Sequence, residues 1–164
     1  MEAQLRRQGF ENDYESGIIC RYRVQGIIVD VIPTNEDILG FSNRWYAEGF
    51  KHAMDIRLDQ ECEIRILQPH YFLATKIEAF KNRGGGDGRM SSDFEDIIFV
   101  LNNRRAIWDE MEKSSADIRT YLRNEWAVIS ENEYLYEWIG AHLDYVEQGR
   151  VSYIVGGLIN FIRS

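Results

Sequence analysis

Apolar positions change their spacing twice along this chain. Glu2 to Gln8 is a short helix candidate that ends at Gly9, with Arg6 and Arg7 in its last turn where cations suit the helix dipole. Residue types then alternate from Ile18 to Val24, Gln25-Gly26 supplies a turn, and Ile27 to Ile32 follows as a β-branched run ended by Pro33. This stretch predicts a hairpin. Ala53 to Leu58 and Cys62 to Leu67 predict a second hairpin around Asp59-Gln60-Glu61. Between the two, Asn35 to Phe50 reads as an irregular aromatic segment in which Trp45 and Tyr46 pack and Ser42, Asn43 and Arg44 offer polar handles.

From Pro69 onward the period is helical. Pro69 suits a first turn, Leu73, Ile77 and Phe80 recur at i, i+4 and i+7, and Gly84-Gly85-Gly86 stops the pattern. Ser92 followed by Glu95 has capping-box spacing and announces a helix with Phe94, Ile97, Ile98 and Leu101 on one stripe. Arg105 to Glu112 is helical by pattern. Ser114-Ser115 offers a cap for the stripe of Ile118, Tyr121, Leu122, Trp126 and Ile129. Glu133 to Val146 carries Leu135, Trp138, Ile139 and Leu143, and a last helix spans Val151 to Ile162. The pattern predicts an α+β fold, hairpins first and helices after.

Composition narrows the functions open to it. The 164 residues are 45% hydrophobic, enough for one well-buried domain or a compact domain with a helical extension. Nineteen basic and 27 acidic residues give a net charge of −8, so nucleic-acid contact requires a local basic patch or a metal ion, and nonspecific coating of DNA or RNA is excluded. Cys20 and Cys62 lack CxxC spacing and read as reduced core thiols. No apolar run reaches membrane-spanning length and no signal-peptide core is present, which predicts a cytoplasmic protein without a membrane partner.

Candidate chemistry lies where the charges meet the helices. Lys76 and Arg83 are seven apart, within about 20° of one line on a helix, beside the Leu73, Ile77, Phe80 stripe. Lys76 should leave the core at its edge with its stem packed and its ammonium free. Asp93 and Asp96 share a face of the next helix. Spacing leaves two readings open: a phosphate-binding edge beside an acid or base, or a solvated flank with ordinary N-terminal acids. Asp30 is the one charge in the apolar run Ile27 to Ile32, and is either held by Arg21 or Arg23 of the neighbouring strand or bound to a metal. The Gly84 to Arg89 run lacks the ending of a Walker loop and follows a helix, so it reads as a hinge.

The run Lys76-Ile77-Glu78-Ala79-Phe80, then Arg83, then Asp93-Phe94-Glu95-Asp96-Ile97 resembles the signature of the nucleotidyltransferase-like AbiEii toxin family, over roughly Met1 to Arg104. The resemblance implies a partial polymerase-β-type palm at 1–68, built of antiparallel hairpins with helices, and a helical region at 69–164 that carries the Lys76 and Asp93 motifs. It implies transfer of a nucleotide from an NTP, with Mg²⁺, to an acceptor that the sequence does not name, with RNA or tRNA, another protein and a small molecule all open. Lys76 would hold the triphosphate, with Arg83 as a second phosphate contact. Asp93 would orient or deprotonate the acceptor, Asp30 would ligate the metal, and Asp96 would be structural. A cognate antitoxin protein is an implied partner.

The chain departs from the family in lacking the Gly-Ser of the first strand-to-helix turn and the Asp-x-Asp of the next strand, which should precede Glu2. Asn12-Asp13-Tyr14-Glu15 does not substitute, because it is not embedded in an apolar strand. Three expectations follow: a chain begun at an internal Met1 and inactive in isolation, a degenerate relative that works as a binding or interaction module, or a palm completed by a separate N-terminal chain. The sheet edge left open in each case predicts a homodimer or aggregation.

Overall fold

The computed structural model describes residues 2–18, 20–31 and 43–164. It is α+β, with helices and two small antiparallel sheets, and it divides into two compact units, Met1–Ser42 and Asn43–Ser164. A division after residue 68 had been expected; the structure instead groups the second hairpin with the helices. The reason is packing: Leu67, at the hairpin's exit, lies against the helical core, and Arg65 donates to the carbonyl oxygens of Phe50 and Ala53.

In the first unit, α1 (Glu2–Arg7) leads to β1 (Glu11–Asn12), β2 (Arg21–Val24) and β3 (Ile27–Asp30), which form one antiparallel sheet in the order β1-β2-β3. Gln25 and Gly26 both have positive φ, 49° and 82°, the geometry of the two-residue hairpin turn. That turn fixes the register, pairing Val24 with Ile27 and Arg21 with Asp30. The ring of Tyr22 is buried and meets Phe10 edge to face at 6.2 Å.

The second unit opens with α2 (Trp45–Lys51), a helix where an irregular segment had been expected; the part of that segment up to Ser42 lies outside the described residues. Next come β4 (Met54–Arg57) and β5 (Glu63–Ile66), paired antiparallel, and then α3 (Pro69–Arg83) and α4 (Ser92–Asn103). The remaining helices are α5 (Ile107–Glu112), α6 (Ala116–Ser130), α7 (Leu135–Ala141) and α8 (Val151–Arg163). The stretch expected to be helical from Glu133 to Val146 is divided, since α7 ends at Ala141 and a 3₁₀ turn occupies Tyr145–Arg150. The cap of α4 is Ser91 rather than Ser92: its hydroxyl accepts from the Phe94 N–H, and its extended backbone is what a cap requires.

Both predicted stripes enter one core. Leu73 and Ile77 of α3 and Phe94, Ile97, Ile98 and Leu101 of α4 are fully buried, joined by Ile118, Leu122 and Trp126 of α6 and by Ile154 and Leu158 of α8. Each such side chain contributes about 1.5–3 kcal/mol on leaving water. Phe80, Phe94 and Trp138 meet at ring distances of 5.2–5.8 Å and tie α3, α4 and α7 together. Between α3 and α4 the chain reverses at Gly85 and Gly86, both in the left-handed region at φ 63° and 75°.

Because Leu122 is fully buried where α6 meets this core, Leu122→Ala should lower the unfolding free energy by about 2–5 kcal/mol. Urea denaturation read by far-UV circular dichroism measures this, with the slope unchanged.

Candidate functional site

Helices α3 and α4 point charged residues at one another along the edge of their buried interface. Lys76, three residues past Leu73, and Arg83, in the last turn of α3, both reach the first turn of α4. The Asp93 carboxylate is their meeting point. Arg83 donates from Nε to Oδ2 at 2.7 Å and from Nη2 to Oδ1 at 2.8 Å, and Lys76 Nζ donates to Oδ1 at 3.2 Å. Lys76 also pairs with Asp96 Oδ2 at 2.5 Å. The structure brings Lys76, Arg83, Asp93 and Asp96 together at this edge.

The four residues differ in exposure. Asp93 is 2% exposed, whereas the Arg83 side chain is 67% exposed and Asp96 is open to solvent on one side. The bidentate bond from Arg83 holds the Asp93 carboxyl below the usual aspartate range, with help from Lys76 and against the opposing effect of burial. For Lys76, burial disfavours the ammonium, but the pairs with Asp96 and Asp93 outweigh it and raise the pKa above that of an ordinary lysine. Lys76, Arg83 and Asp93 are therefore charged at neutral pH.

This arrangement limits the chemistry. Asp93 is a poor proton acceptor, because three donors already address it and its conjugate acid is disfavoured. The expected free ammonium of Lys76 is in fact doubly paired. Donor capacity nonetheless remains at the rim, where Arg83 commits two of its five N–H groups and Lys76 two of its three. Asp96 is the more readily displaced carboxylate, since its loss from Lys76 costs little desolvation.

Asp30 belongs to the first unit. Arg21, directly opposite on β2, donates to its two oxygens at 2.7 and 2.8 Å, and this hydrogen bonding lowers the Asp30 pKa. Of the two readings left open for Asp30, the pairing with Arg21 is the one seen. Asp30 and Asp93 each have both carboxylate oxygens bonded to an arginine, and Asp96 has one oxygen on Lys76. Among the described residues no group of three or more His, Cys, Asp or Glu is placed to hold a metal ion.

A feature not singled out from the sequence adjoins the cluster. A groove of about 1060 Å³ runs from Asp96 past Phe72, Leu67, Ile66 and Phe99 to Arg105. Lys76 Nζ stands 5.7 Å from the Phe72 ring centroid, so the cation overlooks the groove's apolar wall. Phe99 is 66% exposed and, with the half-buried Val100, lies off the buried stripe of α4. That displacement was its one sequence signal. The hinge between α3 and α4 is anchored from the far side by His142, whose Nε2 lies 2.7 Å from the Gly88 carbonyl oxygen.

No protein-family model matches the chain, and no curated protein or solved structure matches it. No helix among the described residues is long and apolar enough to cross a membrane.

The depressed Asp93 pKa sets a pH dependence. Its contribution to stability is fully present above the unfolded aspartate value near about 3.9 and is lost as pH falls through the lower folded value. Asp93→Asn should cost about 1–2 kcal/mol at pH 7, discounted for the exposure of Arg83. The difference between native protein and variant should shrink below about pH 4, as thermal melts between pH 2.5 and 7 would record.

Proposed function

We propose that the chain is a nucleotidyltransferase-like protein that holds a nucleoside triphosphate at the Lys76–Arg83 rim and that, taken alone, does not carry out transfer. The observation that carries this reading is the cluster itself. Two helices joined by a glycine hinge present a lysine and an arginine over a buried aspartate, at the residues where the resemblance to AbiEii-type proteins calls for them. The rim cations keep unused donors facing solvent, which suits a phosphate chain better than a neutral ligand. Phosphate would displace Asp96 from Lys76 and leave Arg83 on Asp93.

Transfer belongs to the same reading only with carboxylates free to hold Mg²⁺, and Asp30 and Asp93 are engaged by arginines. A polymerase-β-type palm, an acceptor such as tRNA, an antitoxin partner and action in the cytoplasm come with the resemblance and are proposed on it. Cys20 is half-buried and Cys62 exposed, so neither is the core thiol expected from sequence, and both are free, in keeping with a reducing compartment.

A second reading has one specific observation in its favour. Asp93 is fully occupied by Arg83 and Lys76, as a structural ion pair would be, and the adjoining groove exposes Phe99. A degenerate relative that works by binding a partner would keep both features.

Calorimetric titration of MgATP into the chain separates the two. On the first reading Lys76→Ala weakens binding at least tenfold, and Asp96→Asn tightens it several-fold by removing the competing anion. Identical affinities in the native chain and both variants, or absence of binding in all three, would discard the triphosphate site and leave the binding module.

A further inference from the structure

Tyr145 and Val146, adjacent in the 3₁₀ turn that follows α7, are 92% and 89% exposed. The turn that bears them is anchored at its far end. The side-chain amide of Gln148 donates to the carbonyl oxygens of Gly140 and Leu143, and the guanidinium of Arg150 donates to the side-chain and backbone oxygens of Asn102 on α4. Single exposed apolar residues are ordinary, but a pair held out on a fixed backbone makes a knob, which loses little freedom on meeting a partner.

The knob is acidic on both flanks. Asp144 stands at the N-cap of the turn, yet its side chain makes no capping hydrogen bond, and Glu147 follows Val146 directly. Neither carboxylate forms a salt bridge among the described residues.

The groove beside α4 has the opposite character. Its apolar wall includes Phe72 and Phe99, and Ile66 there is 41% exposed. Arg104 and Arg105 lie at one end. Arg104 is matched by Glu110 through bonds of 2.6 and 2.7 Å, whereas Arg105 is exposed and pairs with no carboxylate among the described residues. The uncommitted charge of the groove is therefore positive, and that of the knob negative. No residue from Asp144 to Glu147 lines the groove, so a chain does not seat its knob in its own groove, and both features belong to the compact unit Asn43–Ser164.

We propose that Tyr145 and Val146 of one chain dock in the Phe72–Phe99 groove of a second copy, with Asp144 and Glu147 facing Arg105. Tyrosine suits the centre of such a contact because it brings a large, rigid apolar ring with few torsions to fix. Charge selects the partner and its orientation. The net charge of −8 opposes random approach of two copies, so association is confined to the place where an acidic flank meets a basic end. The contact joins two different surfaces, and each pair keeps one free knob and one free groove, which allows further copies to add head to tail. It is small, and hence weak and reversible. It does not depend on the triphosphate rim, and it differs from pairing through an open sheet edge.

Sedimentation velocity of the full chain at rising protein concentration and low salt tests this. The native chain should associate with concentration, and added salt should weaken the association. Phe99→Glu and Tyr145→Glu, both at exposed positions, should each weaken it by about tenfold or more, with the far-UV circular dichroism spectrum retained. Arg105→Glu, which leaves the apolar surfaces untouched, should weaken it about threefold. An equimolar mixture of Phe99→Glu and Tyr145→Glu should form a dimer and stop there, because one variant brings an intact knob and the other an intact groove. A native chain that stays monomeric would overturn the proposal and leave the groove to a partner of other chemistry. Undiminished association in either single variant, or a mixture that stays monomeric, would overturn it as well.

Discussion

Asp93 carries a full negative charge at a position almost closed to water, and the junction of α3 and α4 is built around making that tolerable. A lone buried carboxylate would take up a proton rather than remain charged. Here Arg83 supplies two bonds in the plane of the carboxylate and Lys76 a third. Those donors stand about two turns apart on α3, so Asp93 sets the position of α4 along its neighbour. The apolar contacts of Leu73, Ile77, Phe94 and Ile98 supply the bulk of the attraction, but they are non-directional. The ion cluster is what gives the interface one register.

The same interaction shapes what the surface can do. Holding Asp93 ionised makes it a weak base, and balancing two cations with two carboxylates leaves no standing positive field. Any phosphate must therefore gain access by competition, with Asp96 as the group that yields. The balance at Lys76 is between a half-exposed carboxylate and an incoming polyanion, and charge count favours the polyanion. Arg83 differs because its partner is buried and would be stranded by its departure. Two cations seven residues apart thus have unlike roles, one exchangeable and one fixed.

Much of this was legible in the sequence, for reasons that can be stated residue by residue. The two-residue turn Gln25-Gly26 implies that Arg21 faces Asp30, so the pairing that occupies Asp30 follows from turn length alone. Glycine at 85 and 86 marked the reversal between helices because only glycine adopts that backbone freely. The serine cap was misplaced by one position because Ser91 and Ser92 are chemically equivalent, and the Glu95 spacing matched the wrong one. Trp45 to Lys51 was not recognisable as a helix, since its aromatic residues and glycine have weak helical preference and its helicity comes from packing on α3.

Hydrophobic period and turn residues are local properties, and they determined the α+β class, both hairpins and the α3–α4 pair. Spacing also put Lys76 and Arg83 on one line and Asp93 and Asp96 on another. It could not bring the two lines together, because which face of one helix meets which face of the next depends on how side chains of both fill a common volume. Tertiary structure alone decided that the lysine ammonium is paired, that Asp93 is buried and Asp96 is not, and that the second hairpin belongs with the helices. Each of these is a property of surfaces meeting, and it exists only once the core has closed.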